Sequence, residues 1–302
     1  MKYAIIVALG AISYGALSSF AKIAYGQGYT PAEVTFTQAL LGTLILWSLT
    51  FFQKVTKGNI RIQFSWKLVL AGTTIGLSAY CFYLSVKFIP ISLAIVLLMQ
   101  VSWMSNLGEW IFFRKKMQVV DIICTLVIIV GTILAGNLLQ TQQLHFSLVG
   151  IGLALAAAFI YTLYVLFVSK LGKDIPMLNK SALMMTGSSL VIFLINAPSI
   201  VQSTHFDVQL FHWGIFLALF GTVIPPICFT AGMPKIGPGL GAILLTLELP
   251  AVVLCAHFIL GEEVSPLQIV GMILMMGAII YLNLYKQRVQ QQLSKPCLHS
   301  NL

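Results

Sequence analysis

Ten long runs of apolar residues follow one another along the chain, separated by short polar connections. Each run is close to the roughly 20 residues that a helix needs to cross the hydrocarbon core of a bilayer. A strand would leave backbone groups without hydrogen bonds in lipid, so each run predicts a helix. The pattern predicts an all-α integral membrane protein with ten transmembrane helices, at residues 3–24, 31–52, 67–88, 90–113, 119–138, 148–169, 181–197, 211–233, 238–260 and 267–285.

The two halves of this pattern repeat one another. A shift of 147 residues superposes Tyr14 on Tyr161, and a shift of 148 superposes Gln100 on Glu248. Because each half holds five spans, an odd number, the second half must cross the membrane in the opposite sense. Such inverted repeats are typical of transporters that expose a central site to each face in turn. The predicted organisation is a first repeat at 1–138, a second repeat at 148–285 and a cytoplasmic tail at 286–302.

The positions of the basic residues predict the orientation. Cytoplasmic loops of membrane proteins are enriched in lysine and arginine. With a cytoplasmic amino terminus, all but two of the 17 basic residues fall on the cytoplasmic side, the exceptions being Lys22 and Lys87. The outer loops hold Asp207, Glu262 and Glu263 instead. We therefore expect both termini in the cytoplasm and a multi-pass protein of the cytoplasmic membrane.

Composition excludes several other classes of protein. Hydrophobic residues make up 59% of the 302 positions, which is too apolar for a soluble domain of this size. The net charge of +9 comes from loops and tail, so it indicates contact with membrane lipid and not with nucleic acid. Four cysteines lie in apolar runs without paired spacing, which argues against disulfides and a metal site. The sequence contains no phosphate-binding loop, and no cofactor is expected.

Three stretches carry a resemblance to a known family. Tyr14-Gly15 in the first span matches an aromatic residue followed by glycine, and prolines begin the fourth and ninth spans. The stretch LELPAVVLCAHFILGEEVSPLQIVGMILMMGAIIY at 247–281 is close to a second-repeat signature. On these residues the chain resembles the drug/metabolite transporter superfamily, specifically its ten-helix EamA-type members. The resemblance implies a carrier of amino acids, amines, sugars or other metabolites. The chain departs from the family pattern at Gln38, where many members carry an arginine.

Glu248 is the most unusual residue of the predicted spans. It lies about ten residues into the ninth span, near the middle of the membrane, where an ionised carboxylate is costly. It can bind an amine substrate or carry a proton, or it can cap backbone groups that Pro250 leaves unpaired. His257 follows two turns later and can extend a proton path or make a single bond between helices.

The fourth span presents three polar side chains at helical spacing. Gln100 is the counterpart of Glu248 in the first repeat, and Trp103 and Asn106 follow it on the same face. An amide, an indole and a second amide resemble the wall of a substrate pocket. Hydrogen bonding between helices is an equally common use of such residues. With Gln38 of the second span, they are candidate substrate contacts.

Tyrosines provide the remaining candidate contacts. Tyr14 and Tyr161 lie in the middle of repeat-related spans, and Tyr164 follows Tyr161 by one turn. Tyr80 and Tyr83 add aromatic groups on the third span. Aromatic faces can hold a cation or an aromatic side chain, although tyrosines also mark the lipid interface.

Two features are candidates for gating. Pro225 and Pro226 must interrupt the hydrogen-bond ladder of the eighth span, and broken helices often border transporter sites. A packing kink is the alternative. Lys22 and Lys87 lie near the outer helix ends with Glu33, where they can form a gate ion pair.

Small residues mark the fifth and tenth spans. Gly131, Gly136, Gly271 and Gly277 let helices approach closely, so these spans are interpreted as packing helices or as the contact of a homodimer. No substrate contact is expected there.

These features favour a secondary carrier that moves a small organic metabolite by alternating access. A carboxylate with aromatic neighbours favours an amine or an amino acid as substrate. A channel would show polar stripes along several helices, and here the polar positions gather at mid-span. A lipid-modifying enzyme would need clustered histidine, aspartate or serine groups, and the five histidines are scattered. An enzyme is therefore not expected.

Overall fold

The computed structural model describes residues 2–57, 62–85, 87–89, 91–114, 118–135, 147–202, 207–261 and 263–294. Within these ranges every regular element is helical. The elements are α1 (Lys2–Gly26), α2 (Pro31–Lys57), α3 (Trp66–Ser85), α4 (Ile91–Leu98), α5 (Val101–Phe113), α6 (Val119–Ala135), α7 (Leu148–Lys170), α8 (Met177–Gln202), α9 (Val208–Leu217), a π-helical segment (Ala218–Val223), α10 (Ile224–Ile236), α11 (Pro238–Leu245), α12 (Glu248–Leu260) and α13 (Pro266–Ser294).

Much of the described chain is long enough and apolar enough to cross a membrane. The stretches that meet both conditions are Lys2–Gly26, Pro31–Thr56, Trp66–Ser85, Leu148–Lys170, Met177–Pro198, Val208–Ile236 and Pro238–Ile259. Two shorter apolar helices, Val119–Ala135 and Pro266–Leu282, accompany them. The architecture is therefore that of a multi-pass, all-helical membrane protein.

The fourth predicted span is two helices instead of one. The side-chain Nε2 of Gln100 donates to the carbonyl oxygen of Val96 at 3.0 Å. A continuous helix would give that carbonyl to the backbone N–H of Gln100, which donates to Leu97 O at 3.2 Å instead. The backbone therefore makes a tighter turn at Met99 and Gln100, between α4 and α5, with a hydrogen bond to the residue three positions back. Pro90, which was predicted to begin this span, lies outside the described residues.

The ninth predicted span is divided in the corresponding place. Pro238 begins α11 as predicted, but the helix ends at Leu245. Pro250 lacks the N–H that a continuous helix would donate to Thr246, and the chain tightens at Thr246 and Leu247. Glu248 consequently begins α12. The prediction that Glu248 lies inside one unbroken helix is therefore wrong.

The eighth predicted span contains the π-helical segment directly before Pro225 and Pro226. Its ladder is widened by one residue, since the N–H of Ile224 donates to Leu219 O, five residues back. Segments of this kind are rare and are frequent at functional sites. The interruption predicted from the two prolines is thus a change of helix type.

Helices from the two halves of the chain pack against one another. α3 lies along α7 and α8, α10 lies along α1, and α9 with the π-helical segment lies along α2. Glycines permit close approach of α3 and α8: a Cβ at Gly72 would meet Met184 O, and one at Gly187 would meet Val69 O. The first three helices therefore face α7, α8 and α10 across the centre of the bundle.

The glycines of α6 and α13 lie in a contact within the chain. A Cβ at Gly131 would come within 2.8 Å of Gly271 O, and one at Gly271 would meet Gly131 O. A Cβ at Gly277 would meet nothing within 4 Å, and Gly136 lies outside the described residues. Close packing of these two helices therefore takes place inside one molecule.

A buried lysine joins α7 to α8. Lys180, in the first turn of α8, is 1% exposed, and its Nζ donates to Val168 O at 2.6 Å. That carbonyl belongs to the last turn of α7, where the helix dipole favours a positive charge. The ammonium group therefore ties the end of one helix to the start of the next.

Candidate functional site

A cavity lies at the centre of the bundle, between α1, α2, α3, α7, α8, α10 and the π-helical segment. Its volume of about 70 Å³ is several times the space that one water molecule needs, so it is more than a packing defect. Its wall combines hydroxyl, amide and aromatic groups with aliphatic side chains. It is lined by Tyr14, Leu17, Thr35, Gln38, Ala39, Ile75, Ala79, Tyr83, Tyr161, Tyr164, Met185, Ser188, Ile192, Gly221, Thr222, Pro225, Pro226 and Phe229.

The structure brings seven of the residues singled out from the sequence to this cavity. The rings of Tyr161 and Tyr164 are stacked, with centroids 6.0 Å apart. Across from them, Nε2 of Gln38 donates to Oγ1 of Thr222 at 3.2 Å. The seven residues are Tyr14, Gln38, Tyr83, Tyr161, Tyr164, Pro225 and Pro226.

Glu248 lies beside the tyrosines of the cavity. Its carboxyl group is close enough to Tyr14, Tyr83 and Tyr161 to interact with them electrostatically. Its Oε2 atom is buried and has no hydrogen-bond partner among the described residues. A buried carboxyl oxygen without a partner is energetically costly. The group is therefore suited to take up a proton or a cationic group.

Gly15 sets the distance between α1 and α12. A Cβ at Gly15 would lie 2.8 Å from Cβ of Ala251 and would also meet the backbone oxygen of Glu248. Only a residue without a side chain allows the two helices to come this close. The contact holds Tyr14, the preceding residue, next to the start of α12.

Besides Glu248, four predicted contacts do not line this cavity. On α5, Nε1 of Trp103 donates to Oε1 of Gln100 at 2.8 Å, so the two side chains bind one another. Nδ2 of Asn106 donates to Ser102 O, one turn back on the same helix. Tyr80 of α3 is half-buried, and Tyr83 lines the cavity from the same helix.

Another buried carboxylate was not singled out from the sequence. Glu109 of α5 is 5% exposed, and its Oε2 accepts the N–H of Gly239, in the first turn of α11, at 3.3 Å. A carboxylate is stabilised there by the helix dipole. Its signal in the sequence is the same as that of Glu248, an acidic residue inside an apolar run.

The small polar residues of the wall were missed as well. Thr35, Ser188 and Thr222 line the cavity, and Phe229 adds an aromatic ring. Serine and threonine are common in membrane helices, where they bond to their own backbone. Their type and spacing therefore carry no signal that separates a wall residue from a packing residue.

Side chains link the two halves at the end of the bundle where α1 ends and α9 begins. The hydroxyl of Tyr29 donates to the carboxylate of Asp207, at 2.8 Å from Oδ1 and 3.0 Å from Oδ2. Nearby, Gln27 Oε1 accepts Nε1 of Trp213 at 2.7 Å and Nε2 of Gln209 at 3.1 Å. We call these five residues the loop latch. It joins the α1–α2 loop to the start of α9.

The predicted gate ion pair of Glu33 with Lys22 or Lys87 stays a prediction, and Glu33 also caps the start of α2. Oε2 of Glu33 accepts the N–H of Thr30 at 2.8 Å, and Thr30 Oγ1 accepts the N–H of Glu33, which makes a capping box at the start of α2. Lys87 is exposed, and the side chain of Lys22 lies outside the described part of the chain. His257 is exposed near the end of α12.

Among the described residues, no three histidine, cysteine, aspartate or glutamate side chains come together as a metal site. The polar groups around the cavity are instead phenols, hydroxyls, an amide and the neighbouring carboxyl group of Glu248. This chemistry suits a small solute with hydrogen-bonding and cationic groups.

Comparison with known proteins identifies the class to which this architecture belongs. The model of the EamA-like transporter family matches residues 1–137 and again residues 148–284. The chain therefore belongs to the EamA-like transporter family, as its sequence resemblance predicted. Membership also confirms the expectation of a multi-pass protein of the inner, cytoplasmic membrane.

Among the proteins similar to the chain are two curated relatives and one solved structure. The threonine/homoserine exporter RhtA of Escherichia coli K12 is 26% identical over 285 residues, which cover 91% of this chain and 87% of that protein. The protein of the same name from Salmonella typhimurium LT2 is 24% identical over 283 residues, or 91% and 88%. A crystal structure at 15% identity superposes with a TM-score of 0.77 over 100% of this chain and 99% of the other, a likeness of fold alone.

Proposed function

We propose that the protein is a secondary transporter that exports a small organic metabolite, with an amino acid or an amine as the favoured substrate. The observation that carries this proposal is the buried carboxyl oxygen of Glu248, without a partner in the described residues, next to a cavity lined with tyrosine. A cationic solute or a proton would remove the cost of that isolated carboxyl group.

The chemistry of the cavity supports the choice of substrate. Phenol rings of Tyr14, Tyr161 and Tyr164 attract an ammonium group, and hydroxyl and amide groups can bind a carboxylate or a polar side chain. The relatives are described as threonine/homoserine exporters, which supports both an amino acid as substrate and export as direction. Because these relatives are only 24–26% identical to this chain, other small amines are included in the transport assay.

Alternating access follows if the chain is two inverted repeats with ten transmembrane helices and both termini in the cytoplasm. The packing supports this organisation. α3, from the third span of the first half, lies on α7 and α8, the first two helices of the second half. In the same way α9 and α10, from the third span of the second half, lie on α2 and α1. The same exchange of partners is expected when equivalent helices of two inverted units face one another. In that orientation the loop latch closes the outer face. The cavity then opens outward when the latch separates.

Two further parts of the proposal concern assembly and chemistry. The outward faces of α6 and α13 form the surface for a homodimer. They carry exposed apolar side chains, among them Ile122, Leu126, Ile269, Ile273 and Ile280.

The polar groups of the site bind and orient a solute and do not form a nucleophile and base. Transport without covalent chemistry is therefore favoured over a membrane-embedded enzyme.

Countertransport in liposomes tests the proposal. The purified chain is reconstituted with an unlabelled amino acid or amine inside, and entry of the labelled solute is followed for a panel of both classes. The parent is compared with Glu248→Gln, which keeps the shape of the side chain and removes its charge. Glu263→Gln, at an exposed position, is the matched control. An imposed pH gradient distinguishes a carboxyl group that carries protons from one that binds substrate.

We expect saturable exchange of at least one solute, lost in Glu248→Gln and retained in Glu263→Gln. Exchange that Glu248→Gln leaves intact would contradict the role of this carboxyl group. A flux that does not saturate would favour the channel as the alternative.

A further inference from the structure

One backbone carbonyl beside the cavity has lost its helical hydrogen bond. In an α-helix the carbonyl of residue 221 accepts the N–H of residue 225, and in a π-helix it accepts the N–H of residue 226. Both positions are proline, which has no N–H. The only earlier donor, the N–H of Ile224, is directed to Leu219 O. Gly221 O is therefore left without a backbone donor in either type of helix.

The neighbouring carbonyl shows how such a group is normally satisfied. In the π register Phe220 O would accept the N–H of residue 225, which proline lacks, and here Oγ of Ser13 donates to Phe220 O at 2.7 Å. Membrane proteins commonly pair freed carbonyls with serine in this way. No described side chain does the same for Gly221.

The gap in the ladder faces the cavity. Gly221, Pro225, Pro226 and Phe229 lie on one side of the helix and all line the cavity wall. A helical carbonyl is directed along the axis toward the residue four positions later, which here is Pro225. The unpaired oxygen therefore lies on the side of the helix that borders the cavity.

Further oxygen atoms lie next to this carbonyl. Thr222 Oγ1 accepts the amide N–H of Gln38 at 3.2 Å, which leaves Oε1 of the same Gln38 amide as an acceptor without a partner among the described residues. A Cβ at residue 221 would lie 2.6 Å from Gln38 Nε2, so only glycine leaves room between the two groups. Gly221, Thr222 and Gln38 all line the cavity, so the carbonyl, the hydroxyl oxygen and the amide oxygen belong to neighbouring residues of its wall.

From this arrangement we propose that Gly221 O, Thr222 Oγ1 and Gln38 Oε1 form a binding site for a compact monovalent cation. Backbone carbonyl oxygens of unwound helix segments bind sodium ions in transporters. The cation is either the ammonium group of the transported solute, which rests on the proposed function, or a sodium ion. Both are compact monovalent cations that oxygen atoms bind, and the experiment below distinguishes between them.

Restoring the missing N–H should close the site. Pro225→Ala supplies a donor to Gly221 O in the α register, and Pro226→Ala supplies one in the π register. Pro234→Ala is the matched control, since Pro234 lies in the same helix but does not line the cavity. Thr222→Val removes one oxygen without changing the backbone, which keeps the test decisive if a proline variant fails to fold.

Binding is measured on the purified full chain by its melting temperature in ethylammonium chloride, sodium chloride or choline chloride at equal ionic strength. A cation that binds the folded protein raises the melting temperature, and the rise grows with the logarithm of its concentration relative to its Kd. We expect ethylammonium or sodium, but not choline, to stabilise the parent and Pro234→Ala. In Pro225→Ala, Pro226→Ala and Thr222→Val the apparent affinity should fall about ten- to a hundredfold, the usual effect of losing a hydrogen bond to a charged group.

The two cations identify the source. Stabilisation by ethylammonium alone assigns the site to the ammonium group of the solute, and stabilisation by sodium assigns it to an alkali ion. A parent that gains nothing from either, or variants that bind as tightly as the parent, would overturn the proposal. Because binding is read without transport, a parent that binds these cations and transports no solute would refute the proposed function and leave the site in place.

Discussion

Gly15 is where α1 and α12 lie closest, and replacing it by alanine tests whether this contact holds the site together. The added Cβ would lie 2.8 Å from Cβ of Ala251, where carbon atoms normally prefer about 3.5–4.0 Å. It would also meet Glu248 O, a backbone atom that cannot rotate away. The two helices must therefore separate by about 1 Å.

The expected change in stability is the difference of two effects. Overpacking of this kind costs about 1–3 kcal/mol. Replacing glycine by alanine inside a helix contributes about 0.5–1 kcal/mol in the opposite direction, because alanine loses less conformational freedom on folding. Gly15→Ala should therefore lower the free energy of unfolding by about 1 kcal/mol, within a range of roughly 0–2.5 kcal/mol.

Gly152→Ala on α7 provides the matched control. A Cβ at Gly152 meets nothing within 4 Å, so only the gain in helix propensity remains, and this variant should be slightly more stable than the parent. Both variants are unfolded with increasing SDS in mixed micelles and assayed for countertransport. Gly15→Ala should lose stability and transport together, since Tyr14 moves away from the start of α12. A Gly15→Ala variant as stable and as active as Gly152→Ala would refute the reasoning.

Two further predictions concern contacts outside the cavity. Burial and the carboxylate of Asp207 raise the pKa of the Tyr29 hydroxyl, so the stability it contributes should be complete below about pH 10 and lost as the pH rises through the raised value. The difference in melting temperature between the parent and Tyr29→Phe should accordingly be constant below about pH 10 and shrink at higher pH. A difference that grows with pH would contradict the role of Tyr29 in the loop latch. Lys180→Met leaves a buried carbonyl without its partner and should cost about 1–3 kcal/mol in SDS unfolding, whereas the exposed Lys173→Met should change stability by no more than about 0.5 kcal/mol. Equal effects of the two lysine variants would show that the buried hydrogen bond contributes nothing.

The apolar pattern predicted the helical elements well because lipid leaves so few alternatives. Each predicted run overlaps a helix or a set of consecutive helices, and the seven long apolar stretches and two shorter ones fall within the predicted runs or close to their ends. The divisions inside the fourth and ninth runs were not visible in this pattern. The first division depends on the hydrogen bond from the Gln100 side chain to the carbonyl oxygen of Val96. The second depends on the backbone N–H that Pro250 lacks.

Candidate site residues were predicted unevenly for a similar reason. Tyr14 and Tyr161 were recognised through the repeat, and both line the cavity. Gln100 and Trp103 have the same polar and aromatic character but bind one another, a choice that depends on rotamers and not on spacing. Whether Ser188 faces the cavity or a neighbouring helix depends on the rotation of α8, which its apolar surroundings in the sequence do not reveal.

The central claim is that the cavity between the two halves is the substrate site and opens to each face in turn. Ser188→Cys, in a chain whose five native cysteines are replaced by alanine, places a thiol in the cavity wall with little change in volume. Its labelling by a membrane-impermeant thiol reagent is measured from each side of the membrane, with and without the exchanged solute. We predict labelling from either side and protection by the solute. Labelling that the solute does not slow, or that occurs from one side only under every condition, would contradict the account.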